Sequence, residues 1–216
     1  MLADEQYSVG VEAGRELLMM HEVEAPENME AWSMRRIAKH NRQLAEYCRC
    51  GAKLPEEDAI IAFIDGQLPL LEGRPNRFQH DDFHPGNLLV HGGSYVAAID
   101  FNRYDWGDPY HDFLKIAYFS REVSIPFSIG QIDGYFNGMI PENFWNLYAL
   151  YSTLIMFGTI TWTLQVVRDI LRLYFLVPGC RCLNFWDQST TAIGPKRPTA
   201  STPPTRTAVN PARIGR

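Results

Sequence analysis

No Lys/Arg-rich block precedes the carboxy-terminal tail of this 216-residue chain, and 25 acidic side chains outnumber 20 basic ones, for a formal charge of −5. A nucleic-acid partner calls for a basic stripe or patch that neutralises phosphates, so none is expected here. The acidic balance suits a cationic or neutral small molecule better. The opening residues MLADEQYSVG carry Asp4 and Glu5 and no apolar run, which is unlike a secretory signal and leads to the expectation of a cytoplasmic protein. Cysteine is scarce: the pairs Cys48/Cys50 and Cys180/Cys182 are spaced C-x-C, not C-x₂₋₄-C with matched histidines, so free thiols are expected in place of a zinc knot. There is no internal repeat.

What is present is core-forming material, with 46% hydrophobic and 12% aromatic residues, enough for one domain-sized core. Phe144 to Val167 contains no charged residue and is long enough to cross a bilayer. Its polar load, Asn146, Ser152, Thr153, Thr159, Thr161, Thr163 and Gln165, fits a buried bundle helix better than a lipid-facing one, and no membrane partner is expected.

Apolar residues at helical spacing predict a first helix from Glu5 to His21, which Gly10 and Gly14 weaken only slightly. A second runs through Trp32, Ile37, Leu44 and Tyr47 and closes near Gly51; a third starts with the acids Glu56, Glu57 and Asp58 after Pro55. Leu88 to Val90, the Gly92-Gly93 turn and Tyr95 to Ile99 predict one small hairpin. Further helices are expected over Tyr110 to Ser120, Ile129 to Phe136 and Phe144 to Leu173, with Pro126 and Pro141 near helix starts. After Val177 the periodicity stops, and residues 178–216 are expected to be a disordered Pro-, Thr- and Arg-rich tail whose composition resembles a shifted reading frame.

The chemistry concentrates in His80-Asp-Asp-Phe-His-Pro-Gly-Asn87 and, beyond the hairpin, Ile99-Asp100-Phe101-Asn102. Phosphoryl transfer needs a carboxylate to accept the substrate hydroxyl proton and oxygen ligands for the magnesium that neutralises the phosphates. Asp82 and Asn87 reproduce the D-x-x-x-x-N spacing of a catalytic loop, and folding the hairpin back brings Asp100 beside it. A zinc site from His80, Asp82 and His84 is the weaker alternative, because it leaves Asn87 and Asp100 without a role. His80 and His84 also have a plain reading as core histidines. Arg103, Tyr104 and Asp105 either line the substrate mouth or shape the loop.

HDDFHPGNLLV resembles the H-G-D-x-H-x-x-N loop of the aminoglycoside phosphotransferase and choline kinase superfamily, and IDFNRYDWGDP resembles its following I-D-[WF]-x-x-a-x-x-G-D-P segment. The resemblance implies an α+β, mostly helical, protein-kinase-like carboxy-terminal lobe over residues 1–177, with one small β-hairpin carrying the catalytic and metal loops. It implies transfer of the ATP γ-phosphate to a hydroxyl of a small molecule, with Asp82 as base, Asn87 and Asp100 as Mg²⁺ ligands, and Asp108 as the acid bracing the loop. His80 would anchor the loop backbone and His84 pack beneath it, while Arg103, Asp105 and Asp112 are candidates for the substrate side. Asp81 stands where the family has glycine and is expected to face solvent; Asn102 stands at the glycine of the protein-kinase D-F-G.

The same superfamily carries a small β lobe with a nucleotide loop and a strand lysine. Only Lys39 and Lys53 precede the catalytic loop, both in helical patterns, and Gly10-x-x-x-Gly14 follows no strand. The expectation is a chain lacking that lobe and weakly active or inactive alone. The competing expectation is a non-catalytic lobe that still binds a small molecule or partner.

Overall fold

A computed structural model describes residues 1–176, with side chains through Ile170; the expectations for the tail and for Cys180/Cys182 lie outside the described residues. Met1–Arg168 forms one compact unit, and a second begins at Asp169. The order is α1 (Ala3–His21), α2 (Trp32–Cys50), α3 (Glu57–Gln67), β1 (Arg77–Gln79), β2 (Leu88–His91), β3 (Ser94–Ala98), β4 (Asp105–Gly107), α4 (Arg121–Val123), α5 (Ile125–Phe136), α6 (Phe144–Leu154) and α7 (Met156–Leu176).

Local signals account for most boundaries. Gly51 ends α2 in the left-handed conformation at φ 81°, the C-terminal signature that glycine adopts without penalty. Ser124 caps α5, its hydroxyl accepting from the Phe127 amide at 3.0 Å, with Pro126 in the first turn. The stretch expected as a helix over Tyr110 to Ser120 is instead a 3₁₀ turn, Pro109–Phe113, followed by a π-helical turn, Ile116–Ser120. Such wide turns insert a residue into helical phasing and often sit at functional sites.

The two glycines that weaken α1 as a helix are what lets it pack. A Cβ at Gly10 or Gly14 would collide with the Phe127 and Gln131 carbonyls of α5, and one at Gly130 or Gly134 with the Tyr7 and Val11 carbonyls of α1. Contact positions climb together along both helices, so they run side by side in the same direction with backbones touching, an approach only glycine permits.

Two apolar clusters follow. One gathers Val9, Ala13 and Leu17 of α1 with Phe83, Leu88, Ala98, Phe113, Phe127, Ile132, Tyr135 and Phe144. The other joins Trp32 and Tyr47 of α2 to Ile64, Leu71, Leu114, Leu147, Leu150, Tyr151, Leu154 and Phe157. The charge-free segment divides: α6 and Phe157 are core, whereas Trp162, Leu164, Val167 and Ile170 of α7 are exposed. Phe144–Ile170 is long and apolar enough to cross a membrane by length and composition.

A second ladder joins the expected hairpin. β2 pairs antiparallel with β3, from Leu88 opposite Ala98 to His91 opposite Ser94. Gly92 and Gly93 turn between them at φ 57° and 79°, positive at both centres as a type I′ turn requires. Outside this hairpin, β1 pairs antiparallel with β4, Arg77 opposite Gly107 and Gln79 opposite Asp105. The two ladders are nested, so residues 80–87 and 99–104 are the two connections between an inner and an outer pair. Both loops are therefore pinned at each end and lie together.

Candidate active site

Ladder register sets the first distance. Because Leu88 opposes Ala98 and the Ile99 amide donates to the Asn87 carbonyl at 2.9 Å, Asn87 lies across from Ile99, one residue from Asp100. Cross-strand neighbours have Cβ atoms about 4.5–5.5 Å apart, which sets the spacing of Asn87 and Ile99 and brings the end of one loop to the start of the other. Asp100 is exposed and sits in the left-handed region at φ 64°, its Oδ1 accepting from the Asn102 side-chain Nδ2 at 2.8 Å. Aspartate is among the few side chains that tolerate this backbone.

The loop of residues 80–87 is held from beneath by Asp112. Its carboxylate accepts the His80 amide at 2.9 Å and the Asp81 amide at 2.7 Å, and His21 Nε2 lies 3.0 Å away, with His21 Nδ1 2.9 Å from the Tyr135 hydroxyl. The His21 ring thus bridges the Asp112 carboxylate and the Tyr135 hydroxyl, one nitrogen to each. Asp112 is fully buried; the expectation that it faces substrate is corrected, and it is the acid that braces the loop. The role expected of Asp108 differs accordingly. Buried Asp108 takes a two-pronged ion pair from Arg74, both bonds 2.6 Å, the Tyr151 hydroxyl at 2.6 Å and the Tyr110 amide at 3.1 Å. Only its carbonyl reaches toward the loop, accepting from Gln79 at 2.6 Å. It fastens the 3₁₀ turn, α6 and the approach to β1 together.

His80 links the two loops. Nε2 lies 3.0 Å from the Ile99 carbonyl and Nδ1 3.3 Å from the Asp82 amide; the carbonyl must accept, so the proton is on Nε2 and Nδ1 accepts. Phe83 is fully buried in the first core, and burying such a ring is worth about 1.5–3 kcal/mol, which fixes its neighbours Asp82 and His84 at the surface. His84 is beside the carboxylate of Asp82 and not under the loop. Its ring stacks on Phe119 at 4.9 Å, Nδ1 accepts from the Gly86 amide at 3.1 Å, and Nε2 is 3.6 Å from Asp82 Oδ1. Burial pulls its pKa below the usual value, against the charge of Asp82, so the ring is neutral at pH 7.

Asn87 turns its side-chain nitrogen back onto Asp82, 2.9 Å from the carbonyl and 3.3 Å from Oδ2. The amide oxygen is thereby the atom left to a cation. The other carboxylate oxygen of Asp82 accepts from Lys115 Nζ at 2.8 Å. Burial pushes the Asp82 carboxyl up, but the hydrogen bond and charge of Lys115, with a smaller contribution from Arg103, hold it below the ordinary carboxylate value. Lys115 stands at the start of the π-helical turn and no motif marks it in the sequence.

Asp81, expected to face solvent, turns inward: Oδ1 is 3.3 Å from His111 Nδ1. Burial raises its carboxyl while His111 and then Lys39 lower it further, leaving it below the usual range. Its backbone is left-handed, φ 55°, which explains why glycine is the family residue there. Asp105 is also engaged, 3.2 Å from Arg35 and capping the Trp106 amide at 2.7 Å, whereas Arg103 is exposed and acts on Asp82 through its charge. Among the described residues no three His, Cys, Asp or Glu side chains converge as a metal cage.

Solved structures share this fold at low identity. A thermostable mutant of aminoglycoside phosphotransferase APH(4)-Ia matches with TM-score 0.57 and 17% identity, over 78% of this chain and 62% of the other. The gentamicin complex of APH(2")-IIa gives 0.53 and 15%, over 82% and 64%. Macrolide 2'-phosphotransferase MphH from Brachybacterium faecium gives 0.53 and 14%, over 88% and 63%. The chain thus spans less than two thirds of the length of these structures. No curated protein matches it in sequence. The model of the phosphotransferase enzyme family matches residues 1–145, the stretch that holds both loops, Asp112 and Lys115, and the chain belongs to that family.

Proposed function

We propose that the site transfers the γ-phosphoryl group of ATP to a hydroxyl of a small molecule, with Asp82 accepting the hydroxyl proton. The observation that supports this reading is the nesting of two ladders, which brings the loop holding Asp82 and Asn87 beside the one that starts at Asp100, with the Asn87 side-chain nitrogen tied to Asp82 and its oxygen left over. Asp82 is ionised at neutral pH, because Lys115 outweighs burial, and a base must arrive deprotonated. Asn87 and Asp100 supply one neutral and one anionic oxygen, a donor pair that suits a hard cation which keeps water and phosphate oxygens as its other ligands. Magnesium bound there with ATP would neutralise charge on the transferring phosphoryl group. His84, neutral and packed on Phe119, keeps one wall of the base dry without adding charge.

Residues 1–79 carry no strand lysine or glycine-rich strand turn in the sequence, and the outer residues of the hairpin, Leu89, Val90, Val96 and Ile99, are exposed. These support the view that an amino-terminal nucleotide lobe completes the site and that this chain alone turns over slowly or not at all. The metal assignment is tested by Asp100→Ala in the chain joined to such a lobe: activity is lost or the magnesium concentration for half-maximal rate rises. Unchanged magnesium dependence removes Asp100 from the role.

A further inference from the structure

Lys115 sets an ammonium on the carboxylate proposed as the base. Nζ lies 2.8 Å from Asp82 Oδ1, and the two side chains are 13% and 16% exposed, mostly enclosed but still within reach of a ligand. The lysine precedes the π-helical turn Ile116–Ser120, and Phe119 of that turn receives both this ammonium, 5.4 Å from its ring centre, and the stacked ring of His84. The charge of Lys115 also acts on Asp81 and His84, so its head sits among residues 81–84 of the loop and is not a free surface charge. Asp82 is its hydrogen-bond partner among the described residues. An ammonium has three donors, which leaves two N–H groups for a ligand.

The oxygen that holds Lys115 belongs to the carboxylate to which the hydroxyl proton would go. A hydroxyl donating to Asp82 Oδ1 at about 3 Å lies within about 6 Å of Nζ, and the phosphorus that it attacks is one bond further on. In the transfer the hydroxyl O–H bond breaks and its proton passes to Asp82. The hydroxyl oxygen bonds to the γ-phosphorus, and the bond from that phosphorus to the bridging oxygen breaks with its electron pair left on ADP. Asp82 is then neutral, and Lys115 loses its counter-ion just as negative charge is spread over the equatorial phosphoryl oxygens. A contact that strengthens only at that point lowers the barrier and does not merely tighten ground-state binding.

We propose that Lys115 is a catalytic residue of the transfer, its ammonium pairing with Asp82 before the proton moves and with the transferring phosphoryl group once Asp82 is neutral. The word catalytic rests on Asp82 being the base; the exchange of partners does not. A lysine placed only to hold the loop gains no oxyanion when Asp82 loses its charge.

Asp82→Asn copies the protonated base in size and charge, and sulfate stands in for the tetrahedral oxyanion of the phosphoryl group. Calorimetric titration of the full chain with sodium sulfate at neutral pH, with neither nucleotide nor metal present, therefore tests the exchange. Asp82→Asn binds sulfate more tightly than the parent chain by about tenfold or more, the worth of one hydrogen bond to a charged group. Asp82→Asn/Lys115→Met returns to the parent level, and Asp82→Ser replaces Asp82→Asn in the comparison should the latter fail to fold. Sulfate binding that is no tighter in the neutral variant than in the parent, or a gain that survives Lys115→Met, overturns the proposal. The two readings fail separately: normal turnover by Asp82→Asn in the chain joined to a nucleotide lobe removes the base and leaves the sulfate result standing, whereas failure of the sulfate result leaves Asp82 as the base.

Discussion

Asp82 faces two opposed influences. Burial favours its neutral form, and Lys115 at 2.8 Å favours the anion and wins. With the folded pKa depressed, Asp82 is ionised through neutral pH, and activity that depends on it as a base should fall only as pH drops through that lowered value. Lys115→Met removes the winning influence and leaves burial, so the acid limb of the kcat/KM profile should move up toward neutral pH. A limb that stays in place would show that Lys115 does not set the charge of Asp82. The pair also stabilises the fold above the unfolded carboxylate pKa, and that contribution is lost as pH falls through the folded one.

At this scale the sequence is legible where a position depends on spacing along one loop. Asp82 and Asn87 are five positions apart, and Asp100 follows a hairpin whose turn is written in Gly92-Gly93. The contacts of Lys115 and Asp112 and the burial of Arg36 are not legible, because each arises from packing between distant segments. Asp112 lies just past the quoted IDFNRYDWGDP segment, and nothing in the sequence says that it points inward to two amides. Arg36 and Arg35 look alike in sequence and differ only in which face of α2 each side chain occupies.

Among elements, α1, α2, α3 and the β2–β3 hairpin follow from apolar periodicity and end signals within a few residues. The β1–β4 ladder does not, since each strand has three residues and β4 reads Asp-Trp-Gly, too short for alternation to register and rich in poor strand formers. The stretch Tyr110 to Ser120 likewise has the spacing of one helix, because the 3₁₀ and π turns that it forms share that apolar spacing locally. The glycines of α1 and α5 have a sharper meaning than lowered helix propensity. Gly134→Ala should raise intrinsic helix propensity yet destabilise the protein, because the methyl group meets the Val11 backbone. Overpacking of this kind costs about 1–3 kcal/mol, a fall of roughly 2–12 °C in melting temperature for a chain of this size. A Gly134→Ala protein at or above the wild-type melting temperature would show that α1 and α5 do not touch.

Across the whole molecule, the loops are positioned by connections that leave little slack. Outer and inner ladders clamp both ends of each loop, Phe83 drives one into the core, and Asp112 ties it to α1 through His21. This arrangement can hold a base and two metal donors before any ligand arrives, which is what phosphoryl transfer asks of a protein. The central claim is the role of Asp82, and the direct measurement is phosphoryl transfer from magnesium ATP to a hydroxyl substrate by the chain joined to an amino-terminal nucleotide lobe, compared with its Asp82→Asn variant. The account predicts that turnover drops by about 10²–10⁴, the usual worth of a positioned base, while substrate and nucleotide affinities stay within a few-fold. Turnover near that of the parent protein would contradict it.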